Sequence, residues 1–316
     1  ASRFPLPASR FPLPASRFPI PASRFPLPDS RFPIPDSRFP IPVLIDSHCH
    51  LDAPEFDADR DAVIARARAA GVNGQIIPAI AASGWPKLRA LCAQRSDLFP
   101  AYGLHPMFLA AHRDDHLLAL RHVLRVGDPL AVGECGLDFH VEGLDAQRQQ
   151  FLFEAQLTIA RDFDLPVIVH ARKAFDAVIA SLRRIGGLRG VVHSFSGSEE
   201  QARQLWKLGF HLGIGGPVTY ERARRLRRIV ATMPIEFLLL ETDAPDQPDA
   251  FHRGQRNEPA RLSIVADCVA DMRRVSAEAI ATQIQGNTER LFGIDGLTRR
   301  PEAMALEISP SSRTAT

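Results

Sequence analysis

Cysteine, tryptophan and tyrosine are scarce in this chain, and long apolar runs are missing. Its 316 residues include four cysteines, and no two of them form a Cys-x-x-Cys pair. Scattered cysteines favour free thiols in a reducing compartment over a disulfide framework, so we expect a cytoplasmic protein. No apolar run approaches the roughly 20 residues that a membrane-spanning helix needs, which predicts that the chain does not enter a membrane.

Positive charge is not in excess over most of the chain. The whole sequence holds 38 Lys and Arg against 36 Asp and Glu. Six of the arginines and two of the aspartates belong to residues 1–42, so residues 43–316 carry 32 basic and 34 acidic side chains. No global basic field therefore argues for nucleic acid binding. With 2 Trp and 2 Tyr, the chain also has few of the residues that stack on bases.

Residues 1–42 consist of six copies of a seven-residue unit of the form Ala-Ser-Arg-Phe-Pro-Leu-Pro. Two prolines in every unit rule out a helix and remove donors from any β-ladder, so we expect a disordered, extended and solvated arm. The arm lacks the continuous apolar segment of a signal peptide. Two interpretations stay open: a translated DNA repeat or mis-set start codon, and an arm that docks a partner.

Short apolar or β-branched runs alternate with longer amphipathic segments throughout residues 43–297. Eight runs that are apolar on both faces are typical of a buried parallel sheet. Eight β–α units in a domain of this size favour an α/β fold of the (β/α)8 TIM barrel type over an open doubly wound sheet. Extra C-terminal helices are expected at 259–273 and 277–292, and a loose tail at 298–316. The predicted strands are 43–46, 75–78, 99–103, 130–133, 166–170, 190–193, 211–214 and 237–240.

Six residues whose side chains bind metals well stand at the ends of these strands. In a (β/α)8 barrel the carboxyl ends of the strands form one mouth, where the active site lies. Histidines two apart at a strand end point the same way, so the first strand alone offers two imidazoles. One such histidine is commonly structural, but candidates at five strand ends favour a metal site. The six candidate metal ligands are His48, His50, Glu134, His170, His193 and Asp243.

The number of candidate ligands favours two divalent ions over one. A single zinc-like ion takes three or four protein ligands, whereas this set holds four histidines and two carboxylates. Two ions about 3.5–4 Å apart need a bridging carboxylate, and Glu134 lies near the middle of the strand order. Such a pair activates a water molecule and stabilises charge on attacking and leaving oxygens, which predicts a hydrolase. Mixed histidine and carboxylate ligands suit Zn, Mn, Mg or Co without choosing among them.

Eight short motifs lie along the predicted barrel and its last helix. They are 44–52 (LIDSHCHLD), 103–106 (GLHP), 132–138 (VGECGLD), 166–170 (PVIVH), 192–197 (VHSFSG), 239–245 (LLETDAP), 253–259 (RGQRNEP) and 287–292 (NTERLF). Together they make the chain resemble the TatD family of metal-dependent hydrolases, within the amidohydrolase-like barrels. The resemblance runs from about Val43 to Ile294 and leaves out the repeat. Asp246, after Ala244 and Pro245, favours the YjjV-like branch of the family.

This resemblance implies an activity and a division of the ligands. The activity is that of a phosphodiesterase or deoxyribonuclease of the 3′-to-5′ exonuclease type, with nucleic acid or a small phosphodiester as substrate. Asp243 is the candidate general base, because a carboxylate that touches the metal-activated water can accept its proton; Glu134 is the other catalytic candidate. By matching position, the first ion would be held by His48, His50, Glu134 and Asp243, and the second by Glu134, His170 and His193.

Two further residues near the mouth are candidate substrate contacts. His105, at the end of the third strand, could contact substrate or a phosphate, or could stabilise a turn. Arg172, near the end of the fifth strand, could bind an anionic substrate or form an outward salt bridge. Asp138 and Glu241 are expected to position other groups rather than to bind metal, and Thr242 to act only as a spacer.

The densest basic segment, residues 222–228, holds five arginines. At helical spacing Leu226, Ile229 and Val230 face the core, which leaves the arginines on a solvated face. The alternative is a track for a phosphate backbone.

Three functions are compatible with these residues. The first is the two-metal exonuclease, and the second uses the same site on a small phosphoester or amide. The third is a non-catalytic interaction protein on an inherited barrel, with the repeat as docking arm. A basic, aromatic-lined mouth would favour the first function, and the intact ligand set counts against the third. No obligatory protein partner is evident from the sequence.

Overall fold

A computed structural model describes residues 43–295 and 298–299 of the chain. Eight parallel strands alternate with helices and follow one another around one sheet in sequence order. The predicted (β/α)8 architecture is therefore confirmed. The strands are β1 (Leu44–Asp46), β2 (Val72–Pro78), β3 (Leu98–Tyr102), β4 (Ala131–Asp138), β5 (Val167–Arg172), β6 (Gly190–Val192), β7 (Phe210–Ile214) and β8 (Leu238–Leu240). The helices are α1 (Arg60–Ala69), α2 (Trp85–Ala93), α3 (Asp115–Val126), α4 (Ala146–Asp162), α5 (Phe175–Ile185), α6 (Glu199–Lys207), α7 (Arg224–Thr232), α8 (Leu262–Arg273) and α9 (Ala277–Phe292).

Hydrogen bonds between the segments that follow β1 and β8 nearly close this sheet into a barrel. Consecutive strands pair in parallel from β1 and β2 through β7 and β8. Across the remaining seam, Ser47 N donates to the Leu240 carbonyl at 3.0 Å, and Asp243 N donates to the His48 carbonyl at 2.9 Å. The seam therefore brings the His-x-His segment beside the segment that carries Asp243.

Alternation along the strands separates two layers of apolar side chains. Ile45 belongs to a buried cluster that takes residues from β1–β6 and β8, whereas its neighbour Leu44 packs in the larger cluster with the helices. Because successive strand residues point to opposite faces, the first cluster fills the barrel interior. Phe292 at the end of α9 joins this cluster, and Asn287 Nδ2 donates to the carbonyl of Leu238 at 2.9 Å. Since Leu238 begins β8, α9 closes the end of the barrel opposite the mouth.

The fourth strand is longer than predicted and carries Glu134 within it rather than after it. The prediction ends this strand at Gly133, but β4 runs on to Asp138. Gly136 permits the extension, because its φ is 152° and a Cβ there would overlap the carbonyl oxygen of His170. The two strands can approach this closely only without a side chain at residue 136.

Two short strands follow the last helix. Ile294–Asp295 (β9) pairs antiparallel with Thr298–Arg299 (β10), so the segment predicted as a loose tail begins with two paired residues. The predictions for residues 300–316 and for the repeat arm concern parts of the chain outside the described ranges. Within those ranges, no helix combines the length and the apolar character that crossing a bilayer requires.

Candidate metal centre

A buried carboxylate ties the ends of β1 and β8 together. Asp46 accepts hydrogen bonds from Thr242 N at 3.0 Å, from the Thr242 hydroxyl at 2.5 Å and from His48 N at 3.2 Å. Each of these residues is fully or almost fully buried. The prediction that Thr242 is only a spacer is wrong, because its hydroxyl joins the two segments that carry His48 and Asp243.

A first group of ligand atoms surrounds one oxygen of Glu134. Oε2 of this carboxylate lies 3.3 Å from His48 Nε2 and 3.5 Å from His50 Nε2. Asp243 Oδ1 lies 3.5 and 3.8 Å from the same two nitrogens. The other ring nitrogen of His50, Nδ1, is 3.2 Å from the Pro78 carbonyl at the end of β2. We call His48, His50, Asp243 and Glu134 Oε2 the first ligand group.

A second group surrounds the other oxygen of Glu134. Its Oε1 lies 2.9 Å from His105 Nε2, 3.0 Å from His170 Nδ1 and 2.8 Å from His193 Nε2. These three histidines and Glu134 Oε1 form the second ligand group. His105 also accepts a hydrogen bond at Nδ1 from Met107 N at 3.1 Å, so it does stabilise a turn. The structure thus brings all six predicted ligands together and adds His105, which the sequence assigned to substrate or to a turn.

Two more carboxylates lie behind the histidines of the second group. Asp138 Oδ2 is 3.1 Å from His170 Nε2, the ring nitrogen that points away from Glu134. Glu241 Oε1 accepts a hydrogen bond from Ser194 N at 2.6 Å and lies 3.7 Å from His193 Nδ1. Burial by itself would raise the pKa of Asp138, but the hydrogen bond with His170 and those from His140 N and Val141 N together outweigh it and lower the pKa to about 2. The contact of Asp138 with His170 fits the predicted positioning role, whereas that role stays a prediction for Glu241, because Glu241 also belongs to a set of side chains that could hold a metal ion.

Two buried glutamines of α4 hold backbone segments of the site and were not predicted. Gln156 Oε1 accepts from Leu104 N at 2.7 Å, while its Nε2 donates to the Leu104 carbonyl at 3.2 Å. Gln149 makes the same pair of contacts with Asp138: its Oε1 accepts from Asp138 N at 2.8 Å, and its Nε2 donates to the Asp138 carbonyl at 3.0 Å. Leu104 precedes His105, so each glutamine fixes a residue beside or behind a site histidine. The sequence signal for them was a pair of glutamines seven positions apart, which lie on the buried face of one helix.

The donor set fits divalent metal ions. Among the described residues, Glu134 Oε2, His48 Nδ1 and His193 Nδ1 are buried polar atoms without a hydrogen-bond partner. A buried carboxylate oxygen without a donor is costly unless a cation offsets its charge. Imidazole and carboxylate together suit Zn, Mn and Co. In the part of the chain that the structure describes, three sets have ligand atoms within 4.8 Å of one another: His48, His50 and Glu134; His105, Glu134 and His170; and His48, His193 and Glu241.

Burial and charge move the pKa values of the two central carboxylates in opposite directions. Burial alone would raise the pKa of Glu134, but the imidazoles of His105 and His193 hold it well below its usual range. For Asp243, burial prevails over the opposing imidazoles of His193 and His50 and raises the pKa to about 6. Glu134 is therefore an anion suited to cations, whereas Asp243 can exchange a proton near neutral pH.

Arg172 and the arginines of α7 lie outside the two ligand groups. Arg172 at the end of β5 is exposed, and its side chain has no ion pair within residues 43–295, so the outward salt bridge is not formed there. In α7, Ile229 and Val230 are buried while Arg225 and Arg228 are exposed. The predicted solvated face is confirmed for these two arginines, whereas Arg227 is half-buried and donates to the Val218 carbonyl at 2.9 Å. A contact between Arg172 and an anionic substrate stays a prediction.

Comparisons with known proteins agree with this fold and ligand pattern. The family model described as TatD related DNase matches residues 45–293. The chain is 42% identical over 253 residues to the uncharacterized metal-dependent hydrolase YjjV of Escherichia coli (strain K12), covering 79% of this chain and 98% of that protein. The crystal structure of the TatD homologue YjjV from E. coli K12 matches with a TM-score of 0.77 and 40% identity, covering 81% of this chain and 100% of the other.

A relative with a named activity is also similar to the chain. The 3′-5′ ssDNA/RNA exonuclease TatD of Klebsiella pneumoniae (strain 342) is 34% identical over 263 residues, covering 80% of this chain and 98% of that protein. The fold, the ligand groups and these relatives define a metal-dependent hydrolase built on a (β/α)8 barrel. The chain belongs to the TatD family, and the resemblance seen in its motifs is confirmed.

Proposed function

We propose that this protein is a two-metal phosphodiesterase that degrades nucleic acid strands as a 3′-to-5′ exonuclease. The observation that carries the proposal is the placement of Glu134, whose Oε1 and Oε2 face separate groups of histidines. A carboxylate in this position is suited to bridge two cations and to offset their repulsion. In this proposal the first ligand group holds one divalent ion, and His170, His193 and Glu134 Oε1 of the second group hold the other, each ion being Zn, Mn, Mg or Co.

The side chains of the site would divide the work of hydrolysis. When bound, two divalent ions would lower the pKa of water and stabilise charge on the attacking and leaving oxygens. Asp243 would accept the proton of the attacking water, because it is a largely buried carboxylate within the first ligand group, beside the place where that water would be activated. Glu134 keeps its charge and holds the two ligand groups at a fixed separation. His105 and Arg172 are the proposed contacts to the substrate phosphates.

Exposed aromatic rings at the mouth support a nucleic acid substrate. Phe108, Phe139 and Phe251 are 43%, 41% and 79% exposed, in the segments that follow β3, β4 and β8. The ring of Phe108 lies 5.7 Å from that of His105. Single strands are held by stacking on such rings, which accept any base. Exposed phenylalanine rings therefore offer surfaces for base stacking at the mouth, although the chain has few Trp and Tyr residues.

A substrate panel tests the proposal. Metal-reconstituted protein is incubated with labelled single-stranded DNA, RNA, duplex DNA, small phosphodiesters and amides. We expect single strands to shorten stepwise from the 3′ end. Hydrolysis of a small phosphoester or amide without cleavage of nucleic acid would replace the exonuclease with the small-substrate function. No hydrolysis at all, with residues 1–42 present or removed, would favour the non-catalytic interaction protein. The cytoplasmic location and the lack of an obligatory protein partner stay predictions.

A further inference from the structure

A cavity of about 630 Å³ opens at the mouth of the barrel. Its walls come from the segments that follow β4, β5 and β6 and from the beginning of α7. Its volume lies within the roughly 300–1,000 Å³ that small-molecule sites occupy. Its lining includes the side chains of Phe139, Lys173, Asp176, Ser196, Gln201 and Arg225.

Chain connections place this cavity next to the candidate ligands. Phe139 directly follows Asp138, whose carboxylate contacts His170. Lys173 comes three residues after His170, and Ser196 comes three residues after His193. Three residues span at most about 11 Å, since consecutive Cα atoms are about 3.8 Å apart, so a strand of substrate at the ligand groups has the cavity within reach of its neighbouring nucleotides.

The charges of the lining favour an anion. Lys173 is exposed, and its ammonium has no ion pair or hydrogen bond within residues 43–295. Its φ is 53°, a left-handed conformation that is uncommon for lysine and that clusters at functional sites. Arg225 Nη2 donates to the Ser196 carbonyl at 2.8 Å, which holds the guanidinium over the cavity. The one carboxylate of the lining, Asp176, accepts a hydrogen bond from Gln201 Nε2 at 2.8 Å.

An aromatic ring completes the lining. Phe139 is 41% exposed although its backbone is fixed by a hydrogen bond of 2.9 Å from its N–H to the Arg172 carbonyl. A ring held on a fixed backbone and open on one side offers a surface on which a base can stack at small entropic cost. Cations and an aromatic ring around one cavity match the two parts of a nucleotide, its phosphate and its base.

We propose that this cavity binds the nucleotide next to the scissile phosphodiester bond. The base stacks on Phe139, and the phosphate lies between Lys173 and Arg225. This subsite rests on the proposed phosphodiesterase function. It raises the affinity of the enzyme for substrates that are longer than a simple diester. A small aryl phosphodiester reaches the ligand groups without filling the cavity.

The test compares two substrates in the metal-loaded, full-length protein. Wild type, Phe139→Ala and Lys173→Ala are assayed with a labelled single-stranded oligonucleotide and with a chromogenic bis-aryl phosphodiester. We expect Phe139→Ala to lower the ratio of the two kcat/KM values by about 5- to 100-fold, mainly through the oligonucleotide KM. For Lys173→Ala, the slope of log kcat/KM against log salt for the oligonucleotide becomes shallower by about 0.7. Phe151→Ala and Lys207→Ala, which change exposed residues of α4 and α6, serve as matched controls with unchanged ratios.

The outcomes separate this subsite from the function on which it rests. If the wild type cleaves the oligonucleotide and both variants keep the wild-type kcat/KM ratio and salt slope, the subsite is overturned and the exonuclease function is unaffected. Equal losses in the variants and their controls would also overturn it, since they would reflect general charge or folding. Wild type that cleaves only the small diester would overturn the nucleic acid function itself, and the subsite with it.

Discussion

The two ligand groups that share Glu134 are held in place by different means. In the second group, three ring nitrogens lie 2.8–3.0 Å from Oε1, and Asp138 and Met107 N contact the outer nitrogens of His170 and His105, whereas His193 Nδ1 lies 3.7 Å from Glu241 and has no hydrogen-bond partner among the described residues. In the first group, two ring nitrogens lie 3.3–3.5 Å from Oε2, and His48 Nδ1 has no partner among the described residues. Hydrogen bonds to the outer nitrogens of His105 and His170 support the second group, whereas the strand seam supports the first.

This difference predicts which residues each ligand group depends on for its geometry. The first group depends on the backbone ends of β1 and β8, which Asp46 and Thr242 join. The second depends on residues that contact no substrate and no Glu134 oxygen, such as Asp138 and Gln156. Changes to those supporting residues should therefore act on one ion, while changes to Glu134 should act on both.

The largest separate effects should come from one histidine of each group. His48→Asn and His193→Asn are each expected to lose about one of the two ions and to lower kcat by about 10³-fold, because each removes several kcal/mol of charge stabilisation. Metal content is measured by mass spectrometry and activity on a phosphodiester. His122→Asn, an exposed position on α3, is the control. Loss of both ions in both variants would show that the groups do not bind independently.

Removing a support of the second group should have a smaller effect. Asp138→Ala deprives His170 of the carboxylate at its Nε2, and outer partners of this kind typically contribute about 10- to 100-fold in metal affinity or activity. A chelator titration should show one weakened site and one unchanged site. Glu142→Ala, which changes an exposed acidic residue of the loop that follows β4, should match wild type. Equal weakening of both sites would remove the distinction between the groups.

Gln156→Leu tests whether α4 positions the segment that carries His105. The change leaves Leu104 N–H and C=O unpaired in a buried setting, which costs about 1–3 kcal/mol of stability. Urea unfolding measures the loss, with Gln147→Leu at an exposed position of the same helix as control. Equal stability of both variants would mean that the glutamine does not hold this segment.

The smallest effect is expected at Arg172, outside both ligand groups. Arg172→Ala should raise KM for an anionic substrate about two- to fivefold, the range of an exposed charge, and leave metal content unchanged. Arg183→Ala on α5 is the matched control. An unchanged KM would exclude Arg172 as a substrate contact.

The sequence alone predicted the barrel and brought the six ligand candidates to its mouth. His48 and His50 followed from the two-residue period of a strand, and the other four followed from their positions at strand ends. These inferences need only local pattern and the geometry of parallel strands.

What escaped prediction depends on contacts between distant parts of the chain. The Thr242 hydroxyl reaches Asp46 across 196 residues, and Gln156 reaches Leu104 across 52. The length of β4 depends on close approach to β5 at Gly136, which the strand's own residues do not reveal. Whether a polar side chain is a spacer, a support or a ligand is decided by such neighbours.

The bridging role of Glu134 is tested most directly by counting metal ions. Purified wild-type protein, reconstituted and desalted, should hold close to two divalent ions per chain. Glu134→Ala should lose most of the metal of both groups and nearly all activity, while Glu142→Ala should keep both. Full metal content and activity in Glu134→Ala, or a single ion in the wild type, would contradict a two-metal site joined by this carboxylate.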